Sequence, residues 1–328
     1  MDSRGFPTSI PEFQRAFPDD AACARYLEHL RWPDGFACSK CGAIDAPYRF
    51  PKRETIILRC RHCQANTSLT AGTVMHGSRM SLFIWFWGAY LMATQTPGMS
   101  AVQFQRQLGL RCYETAFVML HKLRAGMVRP DRDSIGTDWP VEIDESLVGG
   151  KTRGEGRGIH HKALVAGAIE IRERLPNTKG PKHRSAHYAG RLRLSVIADR
   201  EGDTLTKFVQ ENVVKGAMVR TDGWGGYGKL TELGYTHESV ALNGDGAKTD
   251  AHLPAIHIAF SNLKTWLMGT HHGVSKQHLQ AYLNEYTFRF NRRFYPMTAF
   301  NSILGLASHT EPPTYVSLYN GSWIHPGA

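Results

Sequence analysis

Residues 139–150 read WPVEIDESLVGG. Val141, Ile143 and Leu147 alternate with polar residues, the period of a strand with one buried face. Asp144 sits inside that strand, between Ile143 and Glu145. A carboxylate there is costly unless it is paired, solvated at a cleft or bound to a metal. Downstream, residues 162–171 (KALVAGAIEI) and 190–199 (GRLRLSVIAD) read as two more strands. Residues 204–213 fit an amphipathic helix, and 217–222 (AMVRTD) a further strand ending in the glycine-rich turn DGWGGYG. Two helices follow, near 256–268 and 275–293. Three strands, a helix, a strand and further helices are the order of an α/β domain, expected over residues 131–300. Alone, Asp144 and Asp222 are each an ordinary strand or turn residue. Together they suit a divalent-metal site at the carboxyl edge of a sheet.

Upstream, residues 10–31 read as helical, with Asp19 and Asp20 offering an N-cap and Ala22, Tyr26, Leu27 and Leu30 an apolar stripe. Two CxxC pairs follow, Cys38 with Cys41 and Cys60 with Cys63, separated by 18 residues. Each pair can turn both sulfurs onto one ion, and the flanking pattern is not the βαβ unit of a thioredoxin, so the four thiolates read as a structural zinc site. With four protein ligands the ion keeps no open position for catalysis. The ribbon's Lys40, Lys52, Arg53, Arg59, Arg61 and His62 suit phosphate contacts. Cys23 and Cys112 read as small core residues.

Residues 81–94 form a strongly apolar helical pattern. Residues 100–108, a turn at Gly109, and residues 113–127 read as a helix-turn-helix. Its exposed face is expected to carry Arg111, Tyr113, Glu114 and Lys122 towards DNA. The domains are thus expected at 1–75 (N-terminal helix and ribbon), 76–130 (helix-turn-helix region), 131–300 (α/β domain) and 301–328, a loosely structured tail.

The 328-residue chain carries a net charge of +10, which points to a polyanionic partner. Residues 151–193 hold eleven Lys or Arg against three Glu, directly after the Asp144 strand. Lys151, Arg153, Lys182, Arg184 and Arg191 are candidates there for DNA contact. The longest apolar run, LFIWFWGAYLM at 82–92, falls short of the roughly 20 residues a membrane helix needs. The N-terminus has no basic stretch followed by an apolar one, so no signal peptide is read there, and a cytoplasmic, nucleoid-associated protein is expected. His257 and Lys264 are two helical turns apart and share a face, as do Glu285, Arg289 and Arg292. An intrahelical salt bridge on a solvent face is the plain alternative for the second set.

These segments in this order resemble the DDE transposases of bacterial insertion sequences, in particular the ISXO-type group with an N-terminal zinc ribbon. The resemblance rests on CSKCG…LRCRHC, SLTAGTVMHGSRMSLFIWFWGAYLM, RQLGLRCYETAFVMLHKLRAGM, VEIDESLVGGK, VRTDGWGGYGKLTELGYTHE and LKTWLMGTHHGVSKQHLQAYLNEYTFRFNRR, from about residue 11 to 297. It implies an α/β catalytic core of RNase H-like type, a mixed sheet with flanking helices, preceded by the ribbon and the helix-turn-helix region. It also implies two catalytic Mg(II) or Mn(II) ions on Asp144 and Asp222, and a Glu-Arg-Arg signature on Glu285, Arg289 and Arg292. In the family a third acidic ligand stands seven residues before a lysine. Here HLPAIHIAFSNLK matches at His252, Ile256 and Lys264, with Pro254 replacing an asparagine and His257 in the ligand position. A neutral imidazole is softer than Mg(II) prefers and suits Mn(II); Asp250 is a possible substitute. The function implied is binding of the element's terminal inverted repeats, then cleavage and strand transfer. Lys264 would hold a phosphate, and double-stranded DNA and a second copy of the chain would be partners. The alternatives are a decayed or domesticated transposase that only binds DNA, and a nuclease without strand transfer.

Overall fold

In the computed structural model of the chain, the residues described are 7, 9–52, 55–95, 97–129, 132–149, 162–174, 185–240, 251–295, 298–307 and 313–324. They form two compact units, residues 7–129 with 292–324, and residues 132–291. The expected ribbon and helix-turn-helix domains therefore share one unit, and residues 292–300, expected in the α/β domain, belong to that same unit.

The first unit opens with α1 (Ile10–Ala16) and α2 (Asp20–Arg31), the latter capped as its sequence requires by Asp19, which accepts from the N–H of Ala22. The ribbon is a three-stranded antiparallel sheet, β1 (Tyr48–Lys52), β2 (Thr55–Arg59) and β3 (Asn66–Ser68), in that order. Then come α3 (Leu82–Thr94), α4 (Ala101–Gln107) and α5 (Tyr113–Ala125). Helix α3 is apolar nearly all round because it is buried nearly all round, from Trp85 and Phe86 to Met92. Gly109 turns the chain between α4 and α5 at φ +60°, a conformation that disfavours a side chain.

The second unit is built on a five-stranded sheet of β4 (Val141–Val148), β5 (Ala163–Glu173), β6 (His187–Ile197), β7 (Met218–Asp222) and β8 (Thr236–Val240). Its order is β6-β5-β4-β7-β8; the first three strands are antiparallel neighbours, and β7 and β8 add in parallel to β4. Strand β8 is not expected from its polar sequence THESV. Helix α6 (Gly202–Asn212) covers one face through Leu205, Phe208 and Val209 on Val141, Ile143 and Val219. Helices α7 (Pro254–Trp266) and α8 (Leu279–Asn291) cover the other, with Ile256, Phe260 and Leu283 against Val165, Leu192 and Leu194.

Two local features set how these helices lie. Gly167 is paired with Asp144 across β4 and β5, and a Cβ there would come within 2.8 Å of the side-chain ends of both Ile256 and Phe260, so a larger residue would force these α7 side chains to shift. Helix α8 borders β6, an edge strand. Asn291 Oδ1 accepts from the N–H of Leu192 at 2.7 Å and its Nδ2 donates to the Leu192 carbonyl at 3.1 Å. Gln280 Oε1 accepts from the N–H of Val196 at 2.8 Å, and its Nε2 donates to the Leu194 carbonyl at 3.3 Å. Side-chain amides thus satisfy backbone groups that no strand among the described residues pairs.

The chain then returns to the first unit with α9 (Thr298–Ala307) and α10 (Tyr315–Tyr319). The loose tail expected over 301–328 is corrected here. Phe300 is buried among the rings of Phe13, Phe17, Phe86 and Tyr90, at centroid distances of 5.7 to 6.1 Å, and Ile303 and Leu304 are buried with it. Among the described residues, no helix is long and apolar enough to cross a membrane.

Candidate active site and metal centre

The four expected cysteines converge. Sγ of Cys38 lies 3.5 Å from Sγ of Cys63, Sγ of Cys41 lies 3.6 Å from Sγ of Cys60, and all four sulfurs lie within 4.8 Å of one another. Four thiolates at about 2.3 Å from one zinc ion would stand about 3.8 Å apart, so the spacing and the donor set fit zinc. The two knuckles are built alike. Gly42 N–H donates to the Cys38 carbonyl and Gln64 N–H to that of Cys60, and Gly42 and Gln64 both adopt positive φ, +71° and +58°. The N–H groups of Cys41 and Lys40 hold the Cys38 thiol down to about 6. The Ala43 N–H pulls the Cys41 thiol the same way, but Cys63 and its other sulfur neighbours leave it up at about 12. Sulfurs this close share protons unless a cation replaces them.

The second cluster lies on the α7 face of the large sheet. Alternate residues of β4 meet α7 in step. Glu142 Oε2 accepts from the N–H groups of Ala255 and Ile256, at 2.8 and 2.9 Å, and so caps the start of α7. Asp144 Oδ2 lies 3.0 Å from Nε2 of His257. Ser146 Oγ accepts from Nζ of Lys264 at 2.7 Å. The strand period of two and the helical period thus bring 142, 144 and 146 against 255, 257 and 264. β7 runs parallel to β4 with Val141 beside Val219 and Glu142 beside Arg220, and continuing that register sets Asp144 beside Asp222. Burial raises the Asp144 carboxyl above its usual range; the N–H of Glu145 and the imidazole of His257 oppose this, and the charge of Asp222 adds to it. Burial lowers the Lys264 ammonium, and nearby Lys162 adds to the effect. His252 Nε2 lies 3.1 Å from the carbonyl of Thr221, which ties the residues before α7 to the end of β7.

Two carboxylates are the hard oxygen donors that Mg(II) and Mn(II) take, so Asp144 and Asp222 fit such an ion. The imidazole of His257 is engaged with Asp144 through Nε2. Among the described residues, the four cysteines are the one group of three or more His, Cys, Asp or Glu arranged to hold a metal ion.

Sequence reasoning missed Glu142 as part of this site and Glu145 as the acid next to it on the other side of the sheet. Glu145 points to the opposite face and takes a hydrogen bond from the Tyr227 hydroxyl, with Arg200 Nε at 3.7 Å. Burial pushes its carboxyl up to about 7, against the pull of the Tyr227 hydrogen bond. Tyr227 belongs to the glycine-rich turn after Asp222, so this contact ties that turn to β4 beside Asp144. A second acidic residue next to Asp144 was the available signal.

Other expected residues fall elsewhere. Lys122 is a correction. It is buried, not on an exposed face; its ammonium donates to the His76 carbonyl at 2.7 Å, and burial lowers it to about 8. Arg111 and Tyr113 are exposed at the start of α5. Arg191 is bound to the buried Glu170, at 2.9 Å, and to Asp133, so its fork is already occupied within the protein. Glu285 and Arg289 form a 2.9 Å ion pair on a buried face of α8, not a solvent face, with Glu285 fully buried. The helix expected to run to 293 ends at Asn291, and Arg292 falls in the first unit. Lys151, Arg153, Lys182, Arg184 and Asp250 lie outside the described residues.

A family model described as ISXO2-like transposase domain matches residues 137–291, and one described as transposase zinc-ribbon domain matches residues 18–66. No curated protein and no solved structure matches the chain.

Proposed function

This chain belongs to the ISXO2-like DDE transposases, and from that premise we propose that it binds the terminal inverted repeats of an insertion sequence, cleaves there and joins the freed ends to target DNA. What supports the reading is the 3.0 Å contact of Asp144 with His257, the parallel register of β7 on β4, which continued beyond Glu142 and Arg220 runs Asp144 towards Asp222, and the bond of Lys264, two turns along the helix, to Ser146, two residues along the strand. The sheet order β6-β5-β4-β7-β8, with its antiparallel meander and two added parallel strands, supports an RNase H-like core.

Asp144 and Asp222 would hold the Mg(II) or Mn(II) ions, which when bound supply charge stabilisation for phosphoryl transfer. The remaining work falls to the chain. Glu142 fixes the start of α7 and so sets the height of His257 over Asp144. His257 orients the Asp144 carboxylate. The Lys264 ammonium, now on Ser146, is within the same row to take a phosphate oxygen. Glu285 and Arg289 brace α8. Water attacks a phosphodiester at the element end, breaks the bond between phosphorus and the 3′-oxygen and frees a 3′-hydroxyl; that hydroxyl then attacks a phosphodiester of the target, joins to its phosphorus and expels the target strand's 3′-hydroxyl. Both are in-line displacements at phosphorus, so one site serves both. The ribbon and the α4–α5 pair, with Arg111 and Tyr113 exposed at the entry to the second helix, are the end-binding elements. The basic residues Lys151, Arg153, Lys182 and Arg184 would line the DNA path. Joining two ends calls for at least a dimer.

The test is incubation of the purified chain with duplexes carrying the repeats that flank its gene, with and without Mg(II) or Mn(II). Metal-dependent nicking at the repeat ends and transfer to a plasmid is the expected result. Tight end binding without cleavage under either metal would favour a protein that only binds DNA.

A further inference from the structure

The zinc ribbon has an outward face whose order the metal site does not require. Leu58 and Cys60 point into its small core with Phe36 and Cys38, so the alternate residues of β1 and β2 point out. There Tyr48 pairs with Arg59 and Phe50 with Ile57. Tyr48 and Phe50 are 47 % and 43 % exposed, and each carries a guanidinium on its ring. Arg59 lies 4.8 Å from the centroid of Phe50, and Arg61 lies 4.9 Å from that of Tyr48. Arg59 is held a second time, because its Nε donates to Oδ1 of Asn66 on β3 at 2.9 Å. Among the described residues, its terminal nitrogens have no protein partner.

An arginine loses much rotamer freedom when it docks, and one already stacked and hydrogen-bonded has lost it beforehand. That preparation favours a planar acceptor pair over a diffuse negative charge. Guanine N7 and O6 in the major groove are such a pair, and the groove admits a β-ribbon. The supporting rings are two residues apart on β1, about 7 Å, close to the rise of two base pairs.

We propose that Arg59 and Arg61, held by Phe50 and Tyr48, read guanine in the major groove of duplex DNA, so that the ribbon supplies sequence selectivity and not charge alone. The proposal rests on the reading of the chain as an end-binding transposase. It differs from phosphate contact in its dependence on the shape of the side chain: lysine keeps the charge and loses the fork.

The experiment uses the full zinc-loaded chain and a pool of duplexes with a randomised centre, from which bound sequences are enriched. Wild type should enrich a motif containing G·C pairs. Arg59→Lys and Arg61→Lys should each flatten the preference at one such pair by about ten- to hundredfold, with zinc content and circular dichroism unchanged. Phe50→Leu should weaken the same position as Arg59→Lys. Replacing that guanine by 7-deazaguanine should weaken wild type and leave Arg59→Lys unaffected. If the lysine variants enrich the wild-type motif undiminished, or if they lose affinity equally for all sequences, the base-reading role is wrong. A wild type that enriches no sequence while binding DNA would also overturn it, and a wild type that binds no DNA would overturn the end-binding reading itself.

Discussion

Nε2 of His257 stands 3.0 Å from Oδ2 of Asp144, on a helix whose first N–H groups are held by Glu142, two residues before that aspartate. The imidazole therefore acts on the carboxylate whether or not it also meets an ion. Replacing it by Ala should lower strand transfer from pre-cleaved ends by about ten- to hundredfold, with end binding intact. His257→Glu should keep activity and shift preference towards Mg(II), while wild type works at least as well with Mn(II). Full activity in His257→Ala would remove this residue from the site and return Asp250 to contention.

Glu142→Gln tests the helix anchor. The carboxylate is buried and accepts two backbone N–H groups, so its loss should cost roughly 1–3 kcal/mol in urea unfolding. His257 and Lys264 ride on the same helix, so strand transfer should fall as well. An unchanged unfolding midpoint would show that α7 is held by its apolar face alone.

Glu170 predicts a pH dependence. Burial would raise its carboxyl, but Arg191, the Gly136 N–H and Arg172 override this and hold it down to about 2. An unfolded glutamate titrates near 4.3. Because the folded state binds this proton less tightly, its stabilisation is present above about pH 4.3 and is lost as pH falls towards about 2, to the extent of roughly 3 kcal/mol. Urea midpoints between those values should fall in wild type, and Glu170→Gln should flatten that part of the curve. An identical slope in both proteins would rule out the assignment.

Zinc removal should act locally. The ribbon's core is little more than Phe36, Leu58 and the cysteines, so a chelator should unfold it while the β4–β8 sheet keeps its hydrogen-exchange protection. Freshly purified protein should hold one zinc per chain. Four freely titratable thiols in such protein would contradict this.

Salt should weaken DNA binding steeply, as released counterions require. Charge reversal at Lys179, Lys182 and Arg184 should reduce affinity for all sequences alike and lower the salt slope. Arg191 and Arg193 do not belong in that set. Arg191 is tied to Glu170, and buried Arg193 donates to the Asp133 carbonyl, so altering either should destabilise the fold. A salt slope untouched by the three reversals would move the DNA path elsewhere.

The legible parts of this molecule were those that break a local rule. A carboxylate inside an apolar strand drew attention to Asp144, and paired cysteines at fixed spacing to the ribbon. The helical spacing of His257 and Lys264 was readable because both partners lie on one element. Glu142 and Glu145 were not, because the groups that give them roles, Ala255 and Tyr227, are 113 and 82 residues away. Lys122 shows the limit of periodicity, which sorts a helix into faces but does not say which of them is covered. Strand β8 has no apolar alternation to betray it. The C-terminal helix could have been found, since Phe300, Ile303 and Leu304 follow helical spacing.

Gln280 and Asn291 grip the main chain of β6, and the main chain is the same whatever side chains it bears. Replacement of residues along that strand by any but proline leaves these amide contacts in place. A single insertion between Leu192 and Val196 would turn one set of N–H and C=O groups away from its amide, and α8 would lose one of its two holds. That border of the domain should therefore tolerate drift in composition far better than any change in length.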